Sequence, residues 1–277
     1  MLREALAEFL REDIGKGDIT SEILPDGKTK AEIICKERAL VAGLKEARIL
    51  FKLVKCRAKN LAKEGSFVNP NTAILAVEGN AKSILSAERT VLNILMRMSG
   101  IATETKRFVD EINKINSNIR IACTRKTAPG FRIFDKRAVK VGGGETHRMR
   151  LDEMVLIKDN HLAIIDSIDR AVVRAREIHR FRSRIEVEVG DIAEVLEAVG
   201  AGADIIMLDN LTPKKVRSIV NALKKNGLRN KVTIEVSGNV TLKNVKRYAS
   251  IDIDMISIGV ITHSVKAIDM SLEIIKT

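Results

Sequence analysis

Tryptophan is absent from this chain, tyrosine occurs once (Tyr248), and all aromatics together make up 3% of it. Proteins that bind single-stranded nucleic acid stack bases on aromatic side chains. The net charge of +12 therefore has little stacking surface beside it, and nucleic acid is not expected as a partner. Enrichment in Lys, Arg, Glu and Ile fits a heat-adapted surface as well. Cysteine is also scarce. Cys35, Cys56 and Cys123 are an odd set with no C-x-x-C spacing, a poor fit to a disulfide framework or a zinc site, which leaves buried or idle thiols. No apolar run approaches the roughly 18 residues needed to cross a bilayer. The opening Met1-Leu2-Arg3-Glu4 begins a mixed-charge amphipathic helix without a signal-peptide core. A cytoplasmic protein without membrane contact is expected.

What the chain does have is length and apolar content for a sizeable core. Its 277 residues, 45% of them hydrophobic, suit one large α/β domain or two ordinary ones. Up to Asn80 the pattern alternates, with helices expected over Leu2–Leu10 and Ala42–Lys52 and strands over Ala31–Cys35 and Ala73–Val77. A helix follows from Ser83, which can cap it; Gly100 interrupts the pattern, and helix resumes through Ile112. After that the chain becomes rhythmic. Short β-branched runs at Ile119–Cys123, Met154–Ile157, Ile185–Val189, Ala203–Leu208, Val232–Val236 and Asp254–Ile258 alternate with helix-like segments such as Ala163–His179 and Pro213–Lys224. Alternation of this kind argues a parallel sheet, and its steadiness argues a (β/α) barrel. A seventh strand has room between Gly130 and Gly144 or at the C-terminus. The expected fold is an irregular (β/α) barrel of six to seven strands with an N-terminal α+β sandwich domain. The expected division is residues 1–102, joined by 265–277, and residues 103–264.

The polar residues gather at one end of these strands, where barrel chemistry collects. Thr124-Arg125-Lys126, Lys158-Asp159-Asn160, Glu188, Asp209-Asn210, Ser237-Gly238 and Ser257-x-Gly259 each end an apolar run. The stretch from Thr124 to His161 holds nine Lys/Arg residues, two of the four histidines, Pro129-Gly130 and the triplet Gly142-Gly143-Gly144. A solvated helix face would space its charges at helical period and would carry no glycine triplet. Cations at the ends of apolar runs instead suit a polyanionic small molecule. Glu186 and Glu188 lie two apart and share a face; the barrel lumen is the cheaper place for both, and a frayed strand end is the alternative. Asp209 is open to two readings, a helix N-cap or, with Glu188, an oxygen-ligand pair for a divalent cation. The small residues of Ser237-Gly238-Asn239 and Ser257-Ile258-Gly259, each before a helix, suit a phosphate. Arg125, Lys126, His147, Arg148 and Lys158 complete a site for two anionic substrates, one phosphorylated and metal-bound.

Taken in order, these segments resemble the quinolinate phosphoribosyltransferase family along nearly the whole chain. The match comprises Glu12-Asp13-x-Gly15-x-Gly17-Asp18-x-Thr20-Ser21, Glu88-Arg89-Thr90-Val91-Leu92-Asn93, Ser99-Gly100-Ile101-Ala102-Thr103, TRKT-x-PG-x-R, GGG-x-x-HR, LIKDNH, EVEV, MLDN and the two Ser-Gly elements. The resemblance implies a decarboxylating phosphoribosyl transfer, from phosphoribosyl pyrophosphate to quinolinate, in NAD biosynthesis. It implies that Arg125, His147, Arg148 and Lys158 bind quinolinate, joined by Arg89 from a neighbouring subunit, and that Lys126 lies near both substrates. Lys126, Lys158, Glu188 and Asp209 are then the catalytic set, with Glu188 and Asp209 beside Mg²⁺, the implied cofactor. Ser237, Gly238, Asn239, Ser257 and Gly259 hold phosphate together with Lys126. A homodimer at least, with a hexamer as the larger option, follows from Arg89. The family usually shows Ser-Gly-Gly where this chain has Ser237-Gly238-Asn239. Nicotinate phosphoribosyltransferase and the molybdenum-transport-associated paralogue are the alternatives within the same fold.

Overall fold

A computed structural model describes residues 2–179 and 183–275. The chain divides into two compact units: Met1–Lys106 with Thr127–Gly143 and Ile261–Thr277, and Arg107–Lys126 with Gly144–Val260. Of the segment 265–277, the last two residues lie outside the described ones.

The first unit is built on a four-stranded antiparallel sheet in the order Met270–Ile275, Lys28–Cys35, Thr72–Asn80, Arg57–Asn60. Alternation in the Lys28–Cys35 strand sends Ala31, Ile33 and Cys35 inward, as a half-buried strand requires. The helix Leu44–Leu53 buries Leu44, Ala47, Leu50 and Phe51 at helical spacing. The helix expected from Ser83 begins earlier and runs unbroken from Ala81 to Asn113. Its start is held by Asn80, whose side-chain oxygen accepts the Ser83 N–H at 3.3 Å; Ser83 is not the cap. Gly100 does not interrupt it. A glycine is needed there because the Lys266 backbone passes so close that a Cβ would sit 2.2 Å from its carbonyl oxygen.

The segment between Gly130 and Gly144, offered as room for a seventh strand, is instead the helix Arg132–Val141. Its buried side is partly charged. Asp135, fully buried, takes Arg97 bidentately at 2.8 Å on each oxygen, and Arg97 also reaches the Thr262 carbonyl at 3.1 Å. Arg137 lies 3.2 Å from the buried Glu46. Part of the cation cluster in the Thr124–His161 stretch is therefore internal scaffolding. Lys136 is buried as well, and Arg132 donates to Thr127 Oγ1 at 3.2 Å.

The second unit is a six-stranded parallel sheet in the order Arg120–Ala122, Met255–Ser257, Thr233–Ser237, Ile205–Asp209, Ile185–Val189, Val155–Ile157. Ile185, Val187 and Val189 are buried on one face, against the helices Ile168–His179 and Ile192–Gly200; Glu186 and Glu188 occupy the other. The helix Pro213–Lys225 starts as its sequence predicts, with Thr212 accepting the Lys215 N–H and Pro213 in the first turn. The segment read as one helix over 163–179 is two, Asp159–Ile165 and Ile168–His179, parted at Asp166 in the left-handed region (φ +60°). Among the described residues no seventh strand forms. A single parallel bridge joins Glu145 to Ala122, with Glu145 bonded to the Ile121 carbonyl (2.7 Å) and the Cys123 N–H (3.1 Å). From that anchor residues 145–148 run along the inner face, and Arg148 donates to the Met154 carbonyl at 3.0 Å, at the start of the opposite edge strand.

Gly100→Ala tests the packing of the long helix. Overpacking of this kind costs about 1–3 kcal/mol, so calorimetry should show a melting temperature lower by several degrees with the helix still formed by circular dichroism.

Candidate active site

The parallel strands alternate so strictly that their inner residues are set by register. Ile205, Met207 and Asp209 point one way along one strand, and Thr233, Glu235 and Ser237 along the next, with Asp209 opposite Ser237 and Met207 opposite Glu235. Ser237 in turn pairs with Ser257 and Glu235 with Met255, while Glu188 lies opposite Met207. A cavity of about 340 Å³ opens at the C-terminal end of this face. It is lined by Thr124, Arg125, Lys126, His147, Arg148 and Lys158 on the cationic side, and by Asp209, Glu235, Ser237 and Ser257 with Leu156 and Met207 on the other. The sheet brings together Arg125, Lys126, His147, Arg148, Lys158, Asp209, Ser237 and Ser257 of the predicted set. Glu188 is joined to them by Lys158, whose Nζ lies 2.5 Å from Glu188 Oε2. Gly238, Asn239 and Gly259 are not in the cavity lining. Arg89 is exposed on the long helix of the first unit.

Beneath the cavity is a cluster that the sequence reading only half found. His147 Nε2 lies 3.2 Å from Glu186 Oε2 and 3.3 Å from Glu235 Oε2, with both carboxylates fully buried. Glu186 faces inward, as its two-residue spacing from Glu188 predicts. Glu235 was missed. The signal was present, because a lone carboxylate in the middle of the run Thr233-Ile-Glu-Val-Ser237 sits at the same inward phase as Ser237. For two carboxylates on strands separated by a third to meet one imidazole, the sheet must be concave on this side. The second oxygen of Glu235 accepts the Ser257 hydroxyl at 2.5 Å, so the Ser257 proton is directed into the cluster.

The electrostatics follow from burial. Desolvation raises the pKa of Glu186, opposed by its hydrogen bond to His147 and reinforced by the charge of Glu235. Burial works against a charged His147, but hydrogen bonding and attraction from Glu186 and Glu235 outweigh it and raise its pKa to about 9. The backbone at His147 is left-handed (φ +49°), and Nδ1 accepts the Arg148 N–H at 2.8 Å. The charged ring that this raised pKa describes carries a proton on each nitrogen, so the Nδ1 contact belongs to the neutral ring. Both ring nitrogens face groups of the protein, Nε2 at ion-pair distance from the two carboxylates and Nδ1 beside the Arg148 N–H. His147 also lines the cavity, and its Nε2 and the two carboxylates lie within 4.8 Å of one another. What His147 does fix is the turn that carries Arg148. Desolvation and then the Arg125 charge lower the pKa of Arg148, which describes two guanidinium groups held close while an anion between them would relieve their repulsion.

Oxygen ligands for a divalent cation are available nearby. Glu188 commits one oxygen to Lys158, and Asp209 commits Oδ2 to the Asn210 side chain at 2.5 Å. Each carboxylate keeps a second oxygen, and two such donors from adjacent strands fit Mg²⁺, which binds through one or two carboxylates and otherwise keeps water or substrate phosphate.

Cations and carboxylates in one cavity at the C-terminal edge of a parallel sheet, with small-residue turns beside it, suit a phosphoribosyltransferase. The chain belongs to the quinolinate phosphoribosyltransferase family: the model of the family's N-terminal domain matches residues 18–99 and that of its C-terminal domain residues 101–273. A probable nicotinate-nucleotide pyrophosphorylase [carboxylating] of Archaeoglobus fulgidus is 44% identical over 260 residues, covering 94% of this chain and 99% of the relative. The protein of the same description from Methanocaldococcus jannaschii is 44% identical over 275 residues, covering 98% and 96%. The solved structure of the nicotinate-nucleotide pyrophosphorylase from Francisella tularensis superposes with a TM-score of 0.90 at 36% identity, covering 99% of this chain and 96% of that one. No helix among the described residues is long and apolar enough to cross a membrane.

The raised Glu186 pKa gives a signed test. The unfolded chain releases this proton near pH 4.5 and the native state only at higher pH, so the native state loses stability as pH rises through that window. Glu186→Gln has no such proton to lose. By thermal unfolding, the stability of the variant relative to the unaltered protein should rise between pH 4.5 and pH 8; equal pH slopes would contradict the assignment.

Proposed function

We propose that this chain transfers the phosphoribosyl group of phosphoribosyl pyrophosphate to the ring nitrogen of quinolinate, releasing pyrophosphate and CO₂ and forming nicotinate mononucleotide for NAD biosynthesis. The observation that carries this reading is the set of Arg125, Lys126, Arg148 and Lys158 around one cavity with Asp209 and Ser237 on its far side. A dicarboxylate and a phosphorylated sugar need charge of this kind at both ends.

Arg125 and Arg148 take the carboxylates of quinolinate, with planar guanidinium forks suited to that geometry. His147 holds the Arg148 turn. Lys158, braced by Glu188, adds a point charge beside the ring, and Lys126 serves the pyrophosphate. The turn Ser237-Gly238-Asn239 and the Ser257-Gly259 segment receive the 5′-phosphate, with backbone N–H groups as donors. Glu188 and Asp209 would hold Mg²⁺, which neutralises charge on the leaving pyrophosphate when bound. As the C1–O bond breaks, positive charge develops on the ribose, and Asp209 and Glu188 stabilise it across a short gap. The pyridine nitrogen attacks C1 on the opposite face. The resulting pyridinium then accepts the electron pair of the bond to the 2-carboxylate, CO₂ departs, and the ring carbon takes up a proton. No side chain forms a covalent bond; positioning and charge do the work.

Arg89 of a second copy completes the quinolinate end, which makes the working form a homodimer at least. Two measurements check this reading. Purified protein with phosphoribosyl pyrophosphate and Mg²⁺ should release CO₂ from quinolinate; turnover of nicotinate alone would remove the dicarboxylate assignment. Arg89→Ala and Lys158→Ala should each be folded and inactive. Remixed after dissociation, they should recover activity toward roughly a quarter of the unaltered level, because random dimers then contain one intact shared site in every four. No recovery in verified mixed dimers would mean that each site is built from one chain.

A further inference from the structure

Asn210, Gly238 and Asn239 carry left-handed backbone (φ +55°, +82° and +49°) where the adjacent strands Ile205–Asp209 and Thr233–Ser237 end. At 238 the need for glycine is steric, since a Cβ there would meet Asn210 Oδ1 at 2.2 Å and the Asn210 backbone nitrogen at 2.8 Å. Residue 239 is different. It adopts a conformation in which glycine is unstrained, yet it is an asparagine, and asparagine still bears part of the left-handed cost.

Its side chain has a use. Asn239 Nδ2 donates to Asn210 Oδ1 at 3.0 Å, and Asn210 Nδ2 donates to Asp209 Oδ2 at 2.5 Å. The amides point head to tail and end on a carboxylate, the order in which hydrogen bonds reinforce one another. Both ends are anchored: the Asn210 N–H is held by the Ser237 carbonyl at 3.0 Å, and the Asn239 carbonyl accepts Asn244 Nδ2 at 3.0 Å. Asp209 lines the cavity, and Asn239 sits in the small-residue turn beside it.

We propose that Asn239 is a positioning residue that sets the Asp209 carboxylate through Asn210, so that phosphate seated on the Ser237–Asn239 turn and the carboxylate facing the ribose are ordered together. The proposal rests on the phosphoribosyl-transfer reading above. A glycine at 239 keeps the turn and removes only the relay. Asn239→Gly should leave the melting temperature unchanged or higher and the KM for quinolinate unaltered, while kcat falls roughly fivefold, as expected when the neutral amide–amide bond that holds the Asn210 donor is lost. Calorimetry without quinolinate should show the Kd for phosphoribosyl pyrophosphate in the presence of Mg²⁺ rising severalfold. The Asn210 side-chain amide resonance should shift in the ligand-free variant. Unchanged kcat and Kd in Asn239→Gly would overturn the relay. A rise in KM for phosphoribosyl pyrophosphate with kcat preserved would also overturn it, because Asn239 would then act on the phosphate alone. If the unaltered protein fails to turn over quinolinate, the underlying reading falls and this proposal with it.

Discussion

Burying two carboxylates against one imidazole is the constraint around which the parallel-sheet unit is arranged. Glu186 and Glu235 have no access to water, and an unpaired buried charge costs several kcal/mol. They are tolerable only because the sheet curves enough to aim them at His147, and because Ser257 satisfies the remaining side of Glu235. The same cluster pins residues 145–148 along the inner face, in the gap between the two edge strands. Together with the Arg148 bond to the Met154 carbonyl, it holds the turn that carries Arg148.

Seven of the nine cations between Thr124 and His161 thus fall into two populations, Lys140 and Arg150 being exposed outside both. One set of cations, Arg132, Lys136 and Arg137, lies on a helix of the first unit, where Arg137 faces buried Glu46 and neighbouring Asp135 is matched by Arg97. The other set, Arg125, Lys126, Arg148 and Lys158, lines the cavity. In sequence the two sets look alike, since partner charges such as Glu46 and Arg97 lie tens of residues away. Charge density alone marks a stretch as unusual without saying whether the counter-charge is internal or a ligand.

The parts legible in the sequence are those with a local physical cause. Strand and helix alternation gave the parallel sheet, Thr212-Pro213 a helix start, and the two-residue spacing of Glu186 and Glu188 their common face. What was not legible depended on distant partners. Gly100 reads as a helix break until the Lys266 backbone is seen to need the space. Residues 132–141 read equally well as room for a strand until their buried phase is known. Asp166 splits a periodic run that looks continuous by composition. His147 reads as a site residue from Arg148 and the glycine triplet beside it, whereas the carboxylates of Glu186 and Glu235 that it meets come from strands that only the fold brings there.

The first sheet closes with a strand from far along the chain. Residues 270–275 pair along the free edge of Lys28–Cys35, so that edge stays open while more than two hundred intervening residues are synthesised. Exposed edges of this kind invite pairing with other chains, and such long-range closure is slow. During translation the parallel-sheet unit, whose strands all lie between, can be complete before the unit that begins the chain. The order of assembly then runs against the order of synthesis, and the N-terminal sheet is the stage most exposed to misassociation on the ribosome.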